Sequence, residues 1–383
     1  MKRIVHIIPG MGIHCGGPSR SVLNLVGGLR EIGIDAIVLT NDDPGDPLIS
    51  TESWIDAVPY KRNGLGYNRA FKKELMEVDA TLFHIHSVYS YSSTIAMWVA
   101  QKRQIPFIVS PRGSLLGSAL SQSSKIKKSI FNKFVLIPDL NRAVAVHATS
   151  KEEVNDLVSL GVMRPTILIS NSIKLPRLIP LIKEPVFRVG VCGRINPIKN
   201  IDGIIRAWKS SGLDQERAEL VIIGGTRLEK ESSYLGELHY LEQELKIPNI
   251  IWTGPRYGHE QQRIFQSLSV LLLGSHSENF GMVVPEALAM GIPVIASRGT
   301  PWGELTETNS GWWIDNSEES ISETLKDVYN LFLCDKEALY RMGNNGRRLV
   351  SENYSQEAVA KKWSDAYEWL LSGADKPSFI SIP

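Results

Sequence analysis

The stretch LLLGSHSENFGMVVPEALAMGIPVIAS, Leu271–Ser297, decides the fold class. Leu271–Leu273 is a short apolar run of strand type. Gly274 to Gly281 is polar and flexible, which marks a turn. Pro285 suits an early helical position, where a missing N–H costs nothing because the first turn leaves that donor unpaired. Gly291 suits the helix end, and Pro293 follows closely. Val294–Ala296 then returns to a sheet. Strand, turn, helix and strand in so few residues describe one βαβ unit of a parallel sheet.

The same stretch carries two carboxylates, Glu278 in the turn and Glu286 in the first turns of the helix, with seven residues between them. The backbone N–H groups of Asn279, Phe280, Gly281, Met282 and Val283 lie between, and Gly281 allows close approach of a ligand. A helix N-terminus adds partial positive charge there, which favours phosphate. Carboxylates repel bare phosphate, so their natural partners are hydroxyls of the same ligand. A phosphate flanked by two polyols is a nucleotide-sugar. An ordinary βαβ turn with one solvated and one capping glutamate reads the same spacing without any ligand.

Length and composition bound the rest. A chain of 383 residues suggests two domains or one large one. Its apolar fraction of 43% and charged fraction of 22% are those of a soluble globular protein. A net charge of +1 argues against a general nucleic-acid binder. Cys15, Cys192 and Cys334 are too far apart for a metal-spaced pair or a disulfide framework, which fits a reducing cytoplasm. The opening MKRIVHIIPGMG meets Pro9 and Gly10 too soon for a signal peptide and reads as a first buried strand. No run approaches the ~20 apolar residues of a membrane span.

Strands and helices alternate through both halves of the chain. Arg3–Pro9 is a strand, followed by a loop holding Gly10, Gly12, Gly16 and Gly17, then a helix from about Ser19 to Ile32. This spacing is not the dinucleotide-binding G-x-G-x-x-G, which makes a nicotinamide dehydrogenase a poor reading. Ile34–Thr40 is a second strand, and Asn41–Asp42–Asp43 reads as a turn. No D-x-D occurs, so the paired carboxylates of a metal-dependent sugar-nucleotide site are missing. In the strand Thr81–His86 the histidines His84 and His86 share a face, and His86 stands at the C-terminal edge where open α/β sheets bind ligands. The strand Ile105–Ser110 runs into Pro111–Arg112–Gly113. Between Gln101 and Val135 there are seven basic residues and no acidic one, and Lys125–Val135 sets Ile126, Ile130, Phe131 and Phe134 at helical spacing among lysines. Such a segment can rest on an anionic membrane or present a solvated basic side above the core.

The proline-rich Leu175–Pro185 reads as a linker. It divides the chain into residues 1–172, a linker 173–186, and residues 187–354. The second half opens with the strand Val186–Cys192 and the turn Gly193–Arg194–Ile195–Asn196–Pro197–Ile198–Lys199. Arg194 and Lys199, five positions apart at a strand edge, suit a diphosphate. Helices at about Ser317–Cys334 and Ser355–Leu371 close the chain, and the tail Ser372–Pro383 reads as frayed. The expected fold class is α/β, two Rossmann-like parallel-sheet domains facing across a cleft.

These residues resemble retaining glycosyltransferases of family 4, the GT-B enzymes with an E-x7-E motif, and run nearly end to end. The most specific parts are Glu278–Glu286 with their surroundings and Gly193–Arg194 with Lys199. His147–Ala148–Thr149–Ser150, Asn171, Gly346–Arg347–Arg348 and Tyr354–Ser355 support them. Ser110–Pro111–Arg112–Gly113 is similar to a subset that builds bacterial surface polysaccharides.

The resemblance implies roles. Arg194 and Lys199 would hold the donor diphosphate, Glu278 the donor sugar, and Glu286 the ribose. Gly193 and residues Asn279–Val283 would complete the donor site, and Gly16 and Gly17 would close on the phosphates. The histidine the family often carries near the strand ending at Ser110 is replaced by Pro111–Arg112–Gly113, which leaves Arg112 and His86 as acceptor-side or auxiliary groups. Residues 1–172 would bind the acceptor and 187–354 the donor, with the helix at about 355–371 packed back on the first half. The implied reaction is metal-independent, cofactor-free, retaining transfer from a nucleoside-diphosphate sugar to a glycan or lipid-linked acceptor. The implied place is the cytoplasm, at the inner membrane face. A nucleotide-sugar 2-epimerase and a non-catalytic sugar-nucleotide binder are the alternatives.

Overall fold

The computed structural model describes residues 3–12, 15–43, 45–59, 67–115, 129–176, 185–226 and 229–382. The chain divides into two units, Met1–Lys174 with Tyr354–Pro383, and Leu175–Asn353.

The first unit contains β1 (Ile4–Ile8), α1 (Gly17–Glu31), β2 (Ala36–Asp42), β3 (Ile55–Pro59), α2 (Arg69–Glu77), β4 (Leu82–His86), α3 (Tyr91–Arg103) and β5 (Phe107–Ser110). A π-helical turn Asn132–Leu136 leads into α4 (Ile137–Leu140), and β6 (Ala145–Ala148), α5 (Lys151–Ser159) and β7 (Thr166–Leu168) follow. The C-terminal helix Gln356–Ser372 and the terminal strand Ile380–Ser381 return to this unit. Its sheet runs terminal strand, β7, β6, β5, β4, β1, β2, β3, and every pair is parallel except the terminal strand on β7. Every residue of β1 and β4 is buried, as expected of parallel strands covered on both faces. Serine hydroxyls start the helices: Ser90 accepts from Ser93 N ahead of α3, and Ser150 from Glu153 N ahead of α5.

The second unit contains β8 (Phe187–Cys192), α6 (Ile201–Ser211), β9 (Ala218–Ile223), α7 (Glu229–Leu245), β10 (Ile250–Gly254), α8 (Gly258–Gln266), β11 (Val270–Leu273) and α9 (Val283–Ala289). It ends with β12 (Val294–Ser297), α10 (Glu304–Glu307), β13 (Gly311–Ile314), α11 (Glu318–Cys334) and α12 (Lys336–Asn353). Its sheet is wholly parallel, in the order β10, β9, β8, β11, β12, β13. α6 buries Ile201, Ile204, Ile205 and Trp208, the i, i+3, i+4, i+7 stripe of a helix lying on a sheet.

Three sequence expectations are corrected. Asn41 and Asp42 do not turn: they extend β2 opposite Val58 and Pro59 of β3, and both are buried. The tail is not frayed, because Ile380 is buried and pairs with Ile167. A further helix, α12, stands between the two expected at the end of the chain. It lies on α9 and closes against it through glycines, as described below.

Each sheet has one place where neighbouring strands lead their connections to opposite sides. These are β1/β4 in the first unit and β8/β11 in the second. The carboxyl ends of such strands form a crevice that binds ligands in open α/β sheets.

Candidate functional site

In the second unit, the two loops that emerge at the β8/β11 switch carry Arg194, Lys199 and Glu278. Gly193 N donates to Ile223 O at 2.9 Å, and Ile195 N to Gly225 O at 3.0 Å, so the backbone of Arg194 is tied on both sides to the exit of β9. A Cβ on Gly224 would stand 1.9 Å from Gly193 O, so these two exits are in backbone contact. Beyond them the single 3-10 turn Pro197–Lys199 places Lys199, and Asn200 follows in the left-handed region at φ 54°. Asn200 tolerates that conformation and fixes it by donating from Nδ2 to Asn316 O at 3.0 Å.

The Lys199 ammonium forms an ion pair with Glu278, and Ser275 Oγ donates to the same carboxylate oxygen at 3.0 Å. His276 N donates to Ile198 O at 2.8 Å, which joins the Lys199 turn to the Glu278 loop. Arg194 Nε lies 3.3 Å from Glu231 Oε1 on α7. A pocket lined by Cys192, Gly193, Arg194, Lys199, Leu273 and Gly274 opens here.

The loop 278–282 is shaped from below. Gly281 has φ 77°, and a Cβ there would lie 3.0 Å from Leu273 Cδ2. The buried Trp302 donates from its indole N–H to Phe280 O, and the two rings lie 5.2 Å apart. Glu278 N donates to Gly299 O at 2.8 Å. Glu286 then stands in the first turn of α9, and Gln261 Nε2 of α8 donates to its Oε2 at 3.2 Å.

The far end of α9 is held by α12. Gly291 ends the helix at φ 79°, and a Cβ on Gly343 would be 1.8 Å from Gly291 O. Gly346 fits against Leu288, and Arg347 donates to Ala289 O and, at 3.2 Å, to Pro176 O. A guanidinium on the last carbonyls of a helix satisfies orphan acceptors and complements the helix dipole.

In the first unit, β1 and β4 bring three buried histidines together. His6 pairs in register with His84, and His86 lies at the end of β4. Arg112, in the left-handed region at φ 58°, donates to His86 Nδ1 at 2.9 Å. It also reaches Ser21 Oγ on α1 at 2.7 Å and Asn171 Oδ1. Arginine is always the donor, so His86 accepts at Nδ1 and carries its proton on Nε2. That proton meets His6 Nδ1 at 3.0 Å. His6 then donates from Nε2 toward Tyr367 Oη at 3.5 Å, and the tyrosine O–H donates to His84 Nδ1 at 2.9 Å. His147 donates to Ile169 O at 2.8 Å.

Burial, with the Arg112 charge adding to it, lowers His6 to about 3. The same two causes lower His147 to about 3. Burial also takes His84 and His86 well below the usual histidine range, with neighbouring histidines and Arg112 adding to the effect. All four are therefore neutral. Burial pulls Arg112 down to about 10, against the opposing charge of Glu153, so it remains a cation at neutral pH. Glu153, pushed up by burial, accepts from Gly113 N at 2.6 Å and from Thr149 N at 2.8 Å, and so clamps the Arg112–Gly113 turn.

One ligand atom from each of His6, His84 and His86 lies within 4.8 Å of the others, the proximity of a metal site. A fixed guanidinium hydrogen-bonded to His86 opposes a second cation there, and the ring nitrogens joined in this chain are engaged with one another. The cluster is a neutral hydrogen-bonded chain.

The residues singled out in the sequence thus fall into two groups. Gly193, Arg194, Lys199, Glu278, Asn279, Phe280, Gly281, Met282, Val283 and Glu286 all lie along the β8/β11 edge of the second unit. Gly16, Gly17, His86 and Arg112 lie along the β1/β4 edge of the first, with Gly16 at φ 81° leading into α1. Trp302, Gln261, Glu231 and Asn200 support the second group, and Ser21 the first. None of these five carried a signal in the sequence except Asn200, whose type suits a left-handed turn.

Two family models match in tandem: Glycosyltransferase Family 4 over residues 15–177 and Glycosyl transferases group 1 over residues 178–349. The chain is 24% identical over 194 residues to the capsular polysaccharide biosynthesis glycosyltransferase CapM of Staphylococcus aureus, covering 49% of this chain and 48% of that one. Matches to the curated relatives span about a quarter to a half of their length. Sucrose-phosphate synthase from Thermosynechococcus elongatus has the same fold, with TM-score 0.76 and 20% identity over 98% of this chain and all of that one. Anabaena HepE, solved with UDP and glucose, gives TM-score 0.72 and 17% identity over 96% of this chain and all of that one.

Proposed function

The chain belongs to the family 4, group 1 glycosyltransferases of GT-B fold, and on that premise we propose that it moves a sugar from a nucleoside-diphosphate donor to a hydroxyl of a lipid-linked glycan. The product belongs to a cell-surface polysaccharide or lipopolysaccharide. The observation that carries this reading is the convergence of Arg194, Lys199 and Glu278 on the switch-point edge of one sheet. HepE, of the same fold, binds UDP and glucose, and CapM is a capsule enzyme; both support the donor and product classes.

In this reading the donor lies along the carboxyl ends of β8 and β11. The bond between the anomeric carbon and the phosphate oxygen breaks, and its electron pair leaves on the diphosphate. Arg194 and Lys199 stabilise that charge, Glu278 holds sugar hydroxyls, and Glu286, oriented by Gln261, holds the ribose. The acceptor oxygen bonds to the anomeric carbon from the face the diphosphate leaves and passes its proton to the departing phosphate oxygen, so the configuration is retained. No metal takes part: the two cations supply the charge that Mg²⁺ supplies elsewhere.

The first unit takes the acceptor, with Arg112 and His86 at its switch-point edge. Ile130 and Phe134, 57% and 69% exposed beside Lys133, suit contact with an anionic membrane. Lys125–Lys128 of the same segment lie outside the described residues. Among the described residues no helix is long and apolar enough to cross a membrane, and we place the enzyme in the cytoplasm as a peripheral membrane protein.

Lys199→Ala tests the proposal. Losing one charge-stabilising donor costs about 10²–10³ in kcat, so transfer is expected to fall by at least that factor with an unchanged circular dichroism spectrum. Near-normal turnover would refute it. A thermal-shift screen of UDP-, GDP-, ADP- and TDP-sugars identifies the donor, since a ligand at about 100 times its Kd adds about 2.7 kcal/mol of stability.

A further inference from the structure

We infer that Glu231 is a positioning residue, which aims the Arg194 guanidinium at the donor diphosphate. This rests on the donor-site reading above and adds to it a residue that acts through Arg194.

The backbone of Arg194 is fixed by the hydrogen bonds of Gly193 and Ile195 to Ile223 and Gly225. The side chain is not: it is 49% exposed and long enough to sample many rotamers. Among the described residues its one ion pair is from Nε to Glu231 Oε1, 3.3 Å away, on a carboxylate only 8% exposed. A carboxylate beside Nε restricts the plane of the guanidinium and leaves the edge formed by the two terminal nitrogens open to a second partner. Glu231 itself is well placed to serve as that anchor. It lies in the first turn of α7, where the helix dipole favours a carboxylate, and α7 follows directly from β9, whose exit grips the Arg194 backbone. Anchor and anchored residue are thus carried by adjoining parts of one strand–helix unit.

Charge alone speaks against a carboxylate here. A negative group 3.3 Å from a phosphate-binding cation lowers the positive potential that the diphosphate meets. Its favourable contribution is therefore geometric: a preoriented arginine loses less freedom when the donor binds. Lys199 differs, because its partner Glu278 is itself a donor-site residue, whereas Glu231, on α7, is not among the residues that line the pocket.

Geometry and charge separate on substitution. Glu231→Gln keeps an acceptor for Nε and removes the charge, while Glu231→Ala removes both. Calorimetric titration with a nucleoside diphosphate should give an affinity about tenfold lower or worse in Glu231→Ala, a loss of about 1.4 kcal/mol. Glu231→Gln should return to the native value or exceed it. The nucleoside monophosphate, with one phosphate fewer for Arg194 to grip, should bind all three proteins with a smaller spread. A merely structural role would move both nucleotides together and would not be rescued by glutamine. In parallel, the Arg194 Nε–H resonance, identified by its loss in Arg194→Lys, should be protected from solvent exchange in the native protein and in Glu231→Gln, and unprotected in Glu231→Ala. Native diphosphate affinity in Glu231→Ala, or an equal loss in Glu231→Gln, would overturn the role of Glu231 and leave the donor site standing. Failure of the native chain to bind any nucleoside diphosphate would overturn the donor site, and this inference with it, even with the Nε–H protected.

Discussion

Acidification from pH 7.5 to 5.5 should unfold the first unit selectively. His6, His84, His86 and His147 are buried and held neutral, two of them down to about 3. The unfolded chain titrates the same side chains near 6.5. Lowered folded-state values mean that the unfolded state binds more protons, so stability is complete above about pH 6.5 and is lost as pH falls toward 3. Over the two units from 7.5 to 5.5, each histidine costs about 1.4 kcal/mol, and the four together about 5 kcal/mol. That is the whole stability of many domains. Asp42 and Glu153, whose carboxyls burial pushes up, act with the opposite sign and trim the figure.

The assay is hydrogen–deuterium exchange read peptide by peptide and corrected for the intrinsic pH dependence of exchange. Peptides from β1, β4 and the helix Gln356–Ser372 should lose several kcal/mol of protection between pH 7.5 and 5.5. Peptides from β8 and β11 are the internal control, because no histidine is buried among the described residues of the second unit. A change below about 1 kcal/mol in β4, or a parallel loss in both units, would refute neutral burial of the cluster.

Three further outcomes follow from the same geometry. Gly281→Ala forces a Cβ into the left-handed region, at about 1–2 kcal/mol, and to within 3.0 Å of Leu273. Nucleoside-diphosphate affinity by calorimetry should fall about tenfold with the fold intact. Arg347→Ala leaves the carbonyls of Ala289 and Pro176 without their charged donor. Hydrogen bonds to charged groups contribute about 1.5–3 kcal/mol each, so the urea midpoint of the second unit should drop clearly and donor affinity with it. Phe134→Asp should lower retention on anionic vesicles in a flotation assay at low salt by several fold, without changing turnover on a soluble acceptor.

What the sequence made legible is local. Leu271–Ser297 carries its strand, turn, helix and strand in period and punctuation, and Arg194 and Lys199 are near neighbours in one loop. Alternation alone put His84 and His86 on one face. His6 joins them through the pairing of β1 with β4, a fact of strand order that no window of sequence contains. Arg347 caps a helix that ends 58 residues earlier, and Trp302 supports Phe280 from 22 residues away. Gly343 and Gly346 look like weak points of a helix until α9 is packed against them. The terminal strand is invisible for the same reason: Lys376 to Ile382 has little periodicity, and its partner β7 is over 200 residues distant.

The two switch-point edges hold their cations in different ways, and the difference bears on chemistry. Lys199 and Arg194 each contact a carboxylate. In the proposed reaction, exchanging Glu278 for a phosphate oxygen keeps the Lys199 ammonium paired throughout, so the desolvation cost of that cation is not incurred again on binding. Arg112 contacts only neutral acceptors, Ser21 Oγ, Asn171 Oδ1 and His86 Nδ1, among the described residues. It has no carboxylate to exchange, and its guanidinium is braced from three directions. In the proposed reaction Lys199 is therefore the cation that changes partners, whereas Arg194 keeps Glu231 as its anchor and Arg112 is built to stay in place and to hold the tautomers of the histidines behind it.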